Sequence, residues 1–260
     1  QRLGHTKLYD HMFIDGLEDA YTGAAMGTFA QKTADEHGLT REGMDAFAIE
    51  SLTRAQRAID DGLNQKEIAP VTIRTRRGER TVSVDEQPHK ANLEKIPQLR
   101  PAFAENGTIT PANSSSISDG ASALLLASEA AVEAHGLTAR ARIVAHSRNS
   151  LAPEAFTLAP IGAAEDVLAK AGWTASDVDL WEINEAFAVV PMAFMHEMKI
   201  PRDKINVNGG ACALGHPIGA SGTRIIVTLL NALEARGLKR GIAAICIGGG
   251  EGTAIAIERP

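Results

Sequence analysis

Three side chains in the C-terminal half could do acid–base or nucleophilic chemistry. They are Asn184 in Asn184-Glu185-Ala186-Phe187, His216 in Gly215-His216-Pro217, and Cys246 in Cys246-Ile247-Gly248-Gly249-Gly250. His216 stands between two glycine-punctuated turns in the stretch from Lys204 to Arg224, ahead of a helix expected from near Ala220. Glycine before it permits close backbone approach, and proline after it locks φ. A histidine held in this way has a defined direction, whereas an isolated histidine usually only satisfies loop carbonyls. Cys246 ends an apolar strand beside glycines whose bare amides could approach an oxyanion, although a buried structural thiol is the ordinary role of a lone cysteine. Gly248, Gly249, Gly250 and Gly252 together exceed what a packed core would need. Asn184 either caps the helix that follows or holds a water or a substrate oxygen. Cys212, between Ala211 and Ala213, reads as a small apolar filler. With His216 and Cys246 it would lack a fourth ligand for zinc, so no metal site is expected.

The elements that position these residues follow a regular order after Ala141. Strand-like Ile143 to His146 leads to a helix around Ile161 to Ala171 ended by Gly172, and strand Asp179 to Ile183 to a helix through Met198. A strand at Ile205 to Val207 leads to a helix through Arg236, and two apolar strands follow, Ile242 to Ile247 and Thr253 to Glu258. This βαβαβαββ order predicts an α/β domain with a largely parallel sheet covered by helices, its last strand turning back antiparallel. Ligands in such sheets collect where strand ends meet helix starts, which is where Asn184, His216 and Cys246 fall.

Upstream the pattern is less regular. Gln1 to Asp10 shows no start signal, as though the chain begins in the middle of something. Thr40 is an N-cap for a helix to Gly62, with Met44, Phe47, Ala48, Ala55, Ala58 and Ile59 as its core stripe. Arg74, Arg76, Arg77 and Arg80 around Gly78 read as a hairpin tip, either solvated or in contact with a phosphate. Prolines at 88, 97, 101 and 111 make 85–118 irregular and a domain edge, and a helix is expected from about Asp119 to His135.

Composition narrows the partner. The 260 residues are 44% hydrophobic, enough for a substantial core, and 26 Lys plus Arg against 32 Asp plus Glu give a net charge of -6. No basic field for nucleic acid or anionic membrane results, so a small molecule is the expected partner. Two cysteines and no apolar run of ~18 residues exclude a disulfide framework and a membrane-spanning helix. No dinucleotide fingerprint, P-loop or serine-nucleophile elbow is present. Cytoplasm is the default location.

Taken together, Asn184 to Phe187, Asn206-Val207-Asn208-Gly209-Gly210, Gly215 to Gly222 and Cys246 to Gly250 resemble the motif series of thiolases, the acetyl-CoA acetyltransferases and 3-ketoacyl-CoA thiolases. Leu99 to Phe103 and Asn113 to Gly120 resemble the family's loop domain and its junction. The resemblance covers essentially the whole chain. It implies a thiolase-like fold in which 1–117 is a partial loop domain over the CoA site, 118–141 the last elements of the N-terminal core domain, and 142–260 the C-terminal core domain. It also implies that His216 deprotonates a nucleophilic cysteine and that Cys246 exchanges the α-proton of acetyl-CoA. Asn184, through a water, and His216 would form one oxyanion hole, and the amide of Gly248 would serve the other. Ser115 would contact the pantetheine arm, and Met26 and Phe187 would line the acyl pocket. Coenzyme A enters as substrate, with no further cofactor, and the assembly would be a homodimer or homotetramer.

The sequence also departs from that pattern, Cys212 included, which stands where the family usually has an aliphatic residue. The family's acyl-accepting cysteine is absent from these residues, so an N-terminal segment outside the chain is expected to supply it, and the chain alone is expected to be inactive. Ala25 stands where many short-chain members carry His, Phe156 where some carry Met, and Pro88 where some use an Arg near the nucleotide, a contact Lys90 could take over. A non-catalytic acyl-CoA-binding or scaffold subunit is the alternative from another class, and a β-ketoacyl synthase is the rival enzyme. His216, Cys246 and Asn184 together favour a catalyst, and Cys246-Ile247-Gly248 favours thiolase over synthase.

Overall fold

The computed structural model describes residues 3–260. Gln1 and Arg2, part of the expected featureless opening, lie outside the described residues. After a short π-helical turn at Phe13–Leu17 come two helices, α1 (Met26–Glu36) and α2 (Arg41–Asp60). Thr40 caps α2 by accepting from Gly43 N, and of the predicted stripe Met44, Phe47, Ala48, Ala55 and Ala58 are buried while Ile59 is half-buried. Strands β1 (Val71–Thr75) and β2 (Gly78–Val82) form the expected antiparallel hairpin, with Thr75 opposite Gly78. The segment 87–98 holds only α3 (Gln87–Lys90) and a 3-10 turn, Leu93–Gln98.

The helix expected from Asp119 is much shorter. Only α4 (Glu129–His135) forms, because the Ser128 side chain accepts from Ala131 N and so starts the helix there. Residues 119–127 are irregular and leave Leu125 and Leu126 exposed.

The C-terminal region is built on β3 (Arg142–Ser150), α5 (Ala159–Ala171), β4 (Leu180–Ile183), α6 (Val189–Met198), α7 (Ala211–Leu214), α8 (Ile218–Arg236), β5 (Arg240–Ile247) and β6 (Glu251–Glu258). Its sheet has the order β3-β6-β5-β4. Only β4 and β5 pair parallel, while β6 runs antiparallel to both β5 and β3, so the sheet is mixed rather than largely parallel. The third strand of the series is reduced to one parallel bridge, Ile205 to Trp181, at the β4 edge. Asn206 stops it: its φ is +47°, and its side chain takes over the pairing by accepting from Ile183 N and donating to Ile183 O, both at 2.8 Å.

Because side chains alternate across a strand, the sheet buries both faces. Trp181, Ile183, Ile242, Ala244, Cys246, Ala254 and Ala256 share a core with α1, α5 and α6. Leu180, Ala243 and Ile257 pack instead with Ile225, Leu229 and Leu233 of α8. Gly172 and Gly237, both left-handed, end α5 and α8. Beside α8, Ile218, Ile226, Ile245, Ile247 and Ile255 line an open apolar recess of about 420 Å³. No described helix is long and apolar enough to cross a membrane.

Candidate active site

The parallel pair β4 and β5, with Ile183 opposite Ala244, brings two strand ends to one edge of the sheet. Asn184 occupies the first position beyond β4, fully buried, with its N–H donating to Ala244 O at 3.0 Å. It therefore caps nothing, since α6 begins only at Val189. Its carboxamide reaches the loop between α7 and α8 instead.

That loop carries His216. Gly215 has φ +91°, and a Cβ there would collide with Ser118, so the loop can lie against the 116–118 segment only with glycine at this position. The contact is sealed by His216 N donating to Ser116 O at 3.0 Å. His216 Nδ1 lies 2.6 Å from Ser221 Oγ, and Ser221 Oγ donates to Pro217 O at 3.0 Å. A hydroxyl has one proton, so Ser221 accepts from His216 and the proton sits on Nδ1. The lone pair is then on Nε2, 3.3 Å from Asn184 Nδ2, which donates to it. Burial first, and the nearby Arg224 cation second, push the His216 pKa down to about 4. At neutral pH this imidazole is an uncharged base with its lone pair aimed at the strand-end edge. Asn184 Oδ1 is buried without a protein partner, an acceptor left for a donor other than protein.

Cys246 is buried in the penultimate position of β5, opposite Gly252. Burial pushes its thiol up to about 12, so it stands protonated, able to give a proton but not to act as a resting nucleophile. No hydrogen bond joins it to His216 among the described residues. Cys212 fits the filler role: its Sγ lies 3.8 Å from Glu185 O, and burial holds its thiol well above the usual range.

The glycines beside Cys246 divide in function. A Cβ at Gly250 or Gly252 would run into the backbone at Leu151 or Ala159, so close packing does require glycine at those two positions, contrary to the sequence reading. Gly248 has space, and the first atom a side chain there would meet is Met26 Sδ, at 3.6 Å. Met26 begins α1 and shares its core cluster with Cys246 and Phe156. Phe187 packs edge-on against Phe103 and Phe156, at centroid distances of 6.1 and 6.5 Å. Ser115 Oγ donates to Ala186 O at 2.9 Å, which keeps its lone pairs for another donor. The seven residues singled out thus fall on the β4 and β5 ends and on the loops and α1 that pack beside them.

Two groups escaped the sequence reading. Ser221 sits five residues after His216 in the first turn of α8, a spacing that carries no distinct signal. Glu185 is fully buried, its carboxylate accepting from Ser51 Oγ (2.7 Å), Asn206 Nδ2 (2.9 Å) and Cys212 N (3.1 Å). It fixes the turn after Asn184 to α2 and to the glycine loop.

Residues 1–130 match the family model described as thiolase, N-terminal domain, and residues 137–259 the one described as thiolase, C-terminal domain. The chain belongs to the thiolase family. Asn184, His216 and Cys246 of this thiolase lie in the C-terminal match, Met26 and Ser115 in the N-terminal one. A relative called probable acetyl-CoA acetyltransferase, from Dictyostelium discoideum, is 48% identical over 259 residues, covering 99% of this chain and 63% of the relative. The acetyl-CoA acetyltransferase of Bacillus anthracis superposes with a TM-score of 0.96 at 41% identity over all of this chain and 66% of its own. An Ascaris suum thiolase solved in complex with coenzyme A superposes at 0.91 with 42% identity, over 99% of this chain and 66% of its own. The α/β, thiolase-like fold is therefore established, and the chain spans a little under two thirds of the first of these relatives.

Proposed function

We propose that these residues are the base, proton-donor and oxyanion-binding part of a thiolase that cleaves 3-ketoacyl-CoA with coenzyme A, or condenses two acetyl-CoA in reverse. The observation that carries this reading is the His216 imidazole, neutral, tied at Nδ1 to Ser221 and presenting Nε2 beside Asn184. Neither thiol of the chain suits the acyl-accepting role, since Cys246 is buried, Cys212 is half-buried, and both are held protonated. That nucleophile is assigned to a segment outside these 260 residues. The uncovered apolar side chains, Ile218 and Ile247 at the recess with Leu125 and Leu126, give such a segment and further copies of the protein a surface to pack on. On this reading 1–117 is the partial loop domain, 118–141 the end of the N-terminal core domain and 142–260 the C-terminal core domain.

In thiolysis His216 Nε2 takes the proton of the nucleophilic thiol, whose sulfur attacks the 3-keto carbon. The oxyanion lies between the imidazolium and a water held by Asn184 Oδ1. As the carbon–carbon bond breaks, the electron pair passes to the α-carbon and Cys246 gives it the thiol proton, releasing acetyl-CoA. The incoming coenzyme A thiol restores that proton to Cys246 as its sulfur takes the acyl group, and the nucleophile, expelled as thiolate, recovers the proton held on His216 Nε2. The Gly248 amide faces the thioester oxygen, Met26 and Phe187 the acyl chain, and Ser115 the pantetheine arm.

The test separates the two proton carriers in the protein that includes these residues. Cys246→Ala should abolish exchange of solvent deuterium into the acetyl methyl of acetyl-CoA while acyl transfer to the nucleophile survives. Preserved exchange in that variant would make Cys246 a packing residue and end the proposed role.

A further inference from the structure

Away from this site, three metal-ligating side chains meet where two helices end. His37 is the C-cap of α1, and His196 and Glu197 lie in the last turn of α6. One ligand atom from each falls within 4.8 Å of the others. Glu197 Oε1 stands between them, 3.2 Å from His196 Nδ1 and 3.8 Å from His37 Nδ1. We infer that His37, His196 and Glu197 form a site for a divalent transition metal, with zinc as the ion they suit.

The geometry is close to what zinc asks. Ligands ~2.0–2.1 Å from a tetrahedral ion stand ~3.3 Å apart; the two edges to Glu197 Oε1 lie within about half an ångström of that, and the third edge is within 4.8 Å. Two imidazoles and one carboxylate select zinc, nickel or copper over calcium or magnesium, which prefer all-oxygen shells. The backbone adds a second, independent preference. α1 and α6 both end here, and the partial negative charge at a helix C-terminus favours a cation. His37 is mostly covered, at 22% side-chain exposure, so one ligand is pre-positioned, while the open outer side leaves the fourth place to water. Among the described residues no other three His, Cys, Asp or Glu groups bring their ligand atoms so close. His11 with Asp15, at 3.6 Å, and His89 with Asp60, at 3.3 Å, are two-ligand pairs and serve as built-in controls.

This site would not touch the chemistry. His37 is eleven residues beyond Met26 on α1, about 16 Å along a helix rising ~1.5 Å per residue. Its role is a clamp, joining α1, which carries Met26, to α6, which extends from the Asn184 loop. Such a clamp holds the N-terminal family region against the C-terminal one.

Zinc titration of the protein that includes these residues against a chromophoric chelator, with hydrogen exchange read in parallel, tests the site. One equivalent should bind, exchange in the last turns of α1 and α6 should slow, and magnesium should do neither. His37→Ala and Glu197→Gln should each weaken zinc by ~10-fold or more, on the scale of changes around metal ligands, while His11→Ala and His89→Ala leave it unchanged. Circular dichroism of these surface variants verifies that each is folded. Failure of the wild-type protein to bind zinc, or equal affinity in the His37→Ala, His196→Ala, Glu197→Gln triple variant, would overturn the assignment.

Discussion

Replacing Ser221 by alanine should move a proton across the His216 ring. In the wild-type loop the hydroxyl accepts from Nδ1–H at 2.6 Å, and alanine leaves that donor facing a methyl group. A hydrogen bond between neutral groups contributes about 1 kcal/mol net, and an orphaned buried donor costs up to about 3. The cheapest escape is for the proton to go to Nε2 and for Asn184 to turn its amide, so that the now unpartnered Oδ1 accepts it. A preference of about 1.4–2 kcal/mol for Nδ1–H is a bias of roughly 10- to 30-fold, which alanine would erase. The helix start should survive, because Pro217 O keeps two backbone donors, Ala220 N and Ser221 N, both at 2.9 Å. The assay is nitrogen NMR of 15N-histidine-labelled protein, where protonated and bare ring nitrogens resonate far apart. Wild type should show Nδ1 protonated and Nε2 bare. With a pKa of about 4 it should not titrate between pH 6 and 8, and about one ring in a thousand is charged at pH 7. Ser221→Ala should populate the Nε2–H form, and Ser221→Thr should not. A bare Nδ1 in wild type, a midpoint near 6.5, or identical spectra for wild type and Ser221→Ala would refute the reasoning.

His216→Asn should flatten part of the acid limb of stability. The folded pKa, about 4, lies below the ordinary 6.5, so neutral His216 contributes fully above pH 6.5 and that contribution is lost as pH falls toward 4, by at most about 3 kcal/mol. Urea melts at pH 7 and 4.5 measure it, and parallel losses in both proteins would contradict it. Glu182 has the opposite sign: burial, only partly offset by Arg224, raises its carboxyl to about 8, so its contribution holds below pH 4.5 and fades as pH rises through 8. Stability of Glu182→Gln relative to wild type should therefore climb from pH 5 to 9, and a flat difference would remove the buried-acid reading. Gly252→Ala drives a Cβ into the Ala159 carbonyl, backbone that cannot give way. It should cost about 1–3 kcal/mol in thermal unfolding, and a neutral result would show that β6 is free to shift away from α5.

Local signals carried much of the fold. Thr40 and Gly172 mark helix ends by chemistry confined to one turn, and both act as the sequence implies. The strand-end loops were legible as motifs because glycine and proline crowd the chemistry-bearing residues. Strand direction was not legible, since an apolar run such as Ile242 to Ile247 has the same pattern whichever way its neighbour points. The pairing of β3 with β6 spans more than a hundred residues and is set by packing on α5. Ala121 to Ala127 is apolar at helical spacing, yet the cap at Ser128 fixes the helix later. Ile205 to Val207 reads as a strand until the Asn206 side chain replaces the backbone ladder. Ser221 was invisible because what matters is the second hydrogen bond of its hydroxyl, to Pro217 O, which makes it an acceptor toward His216.

The central claim is that His216 activates a cysteine other than the two present here. Its most direct test is mass spectrometry of the protein that includes these residues, quenched after mixing with acetoacetyl-CoA. The account predicts an acetyl group on a cysteine outside residues 1–260, formed rapidly in wild type and slowed by ~100-fold or more in His216→Ala, the usual scale for losing a positioned base. An acetyl adduct on Cys212 or Cys246, or one formed at the wild-type rate without His216, would contradict it.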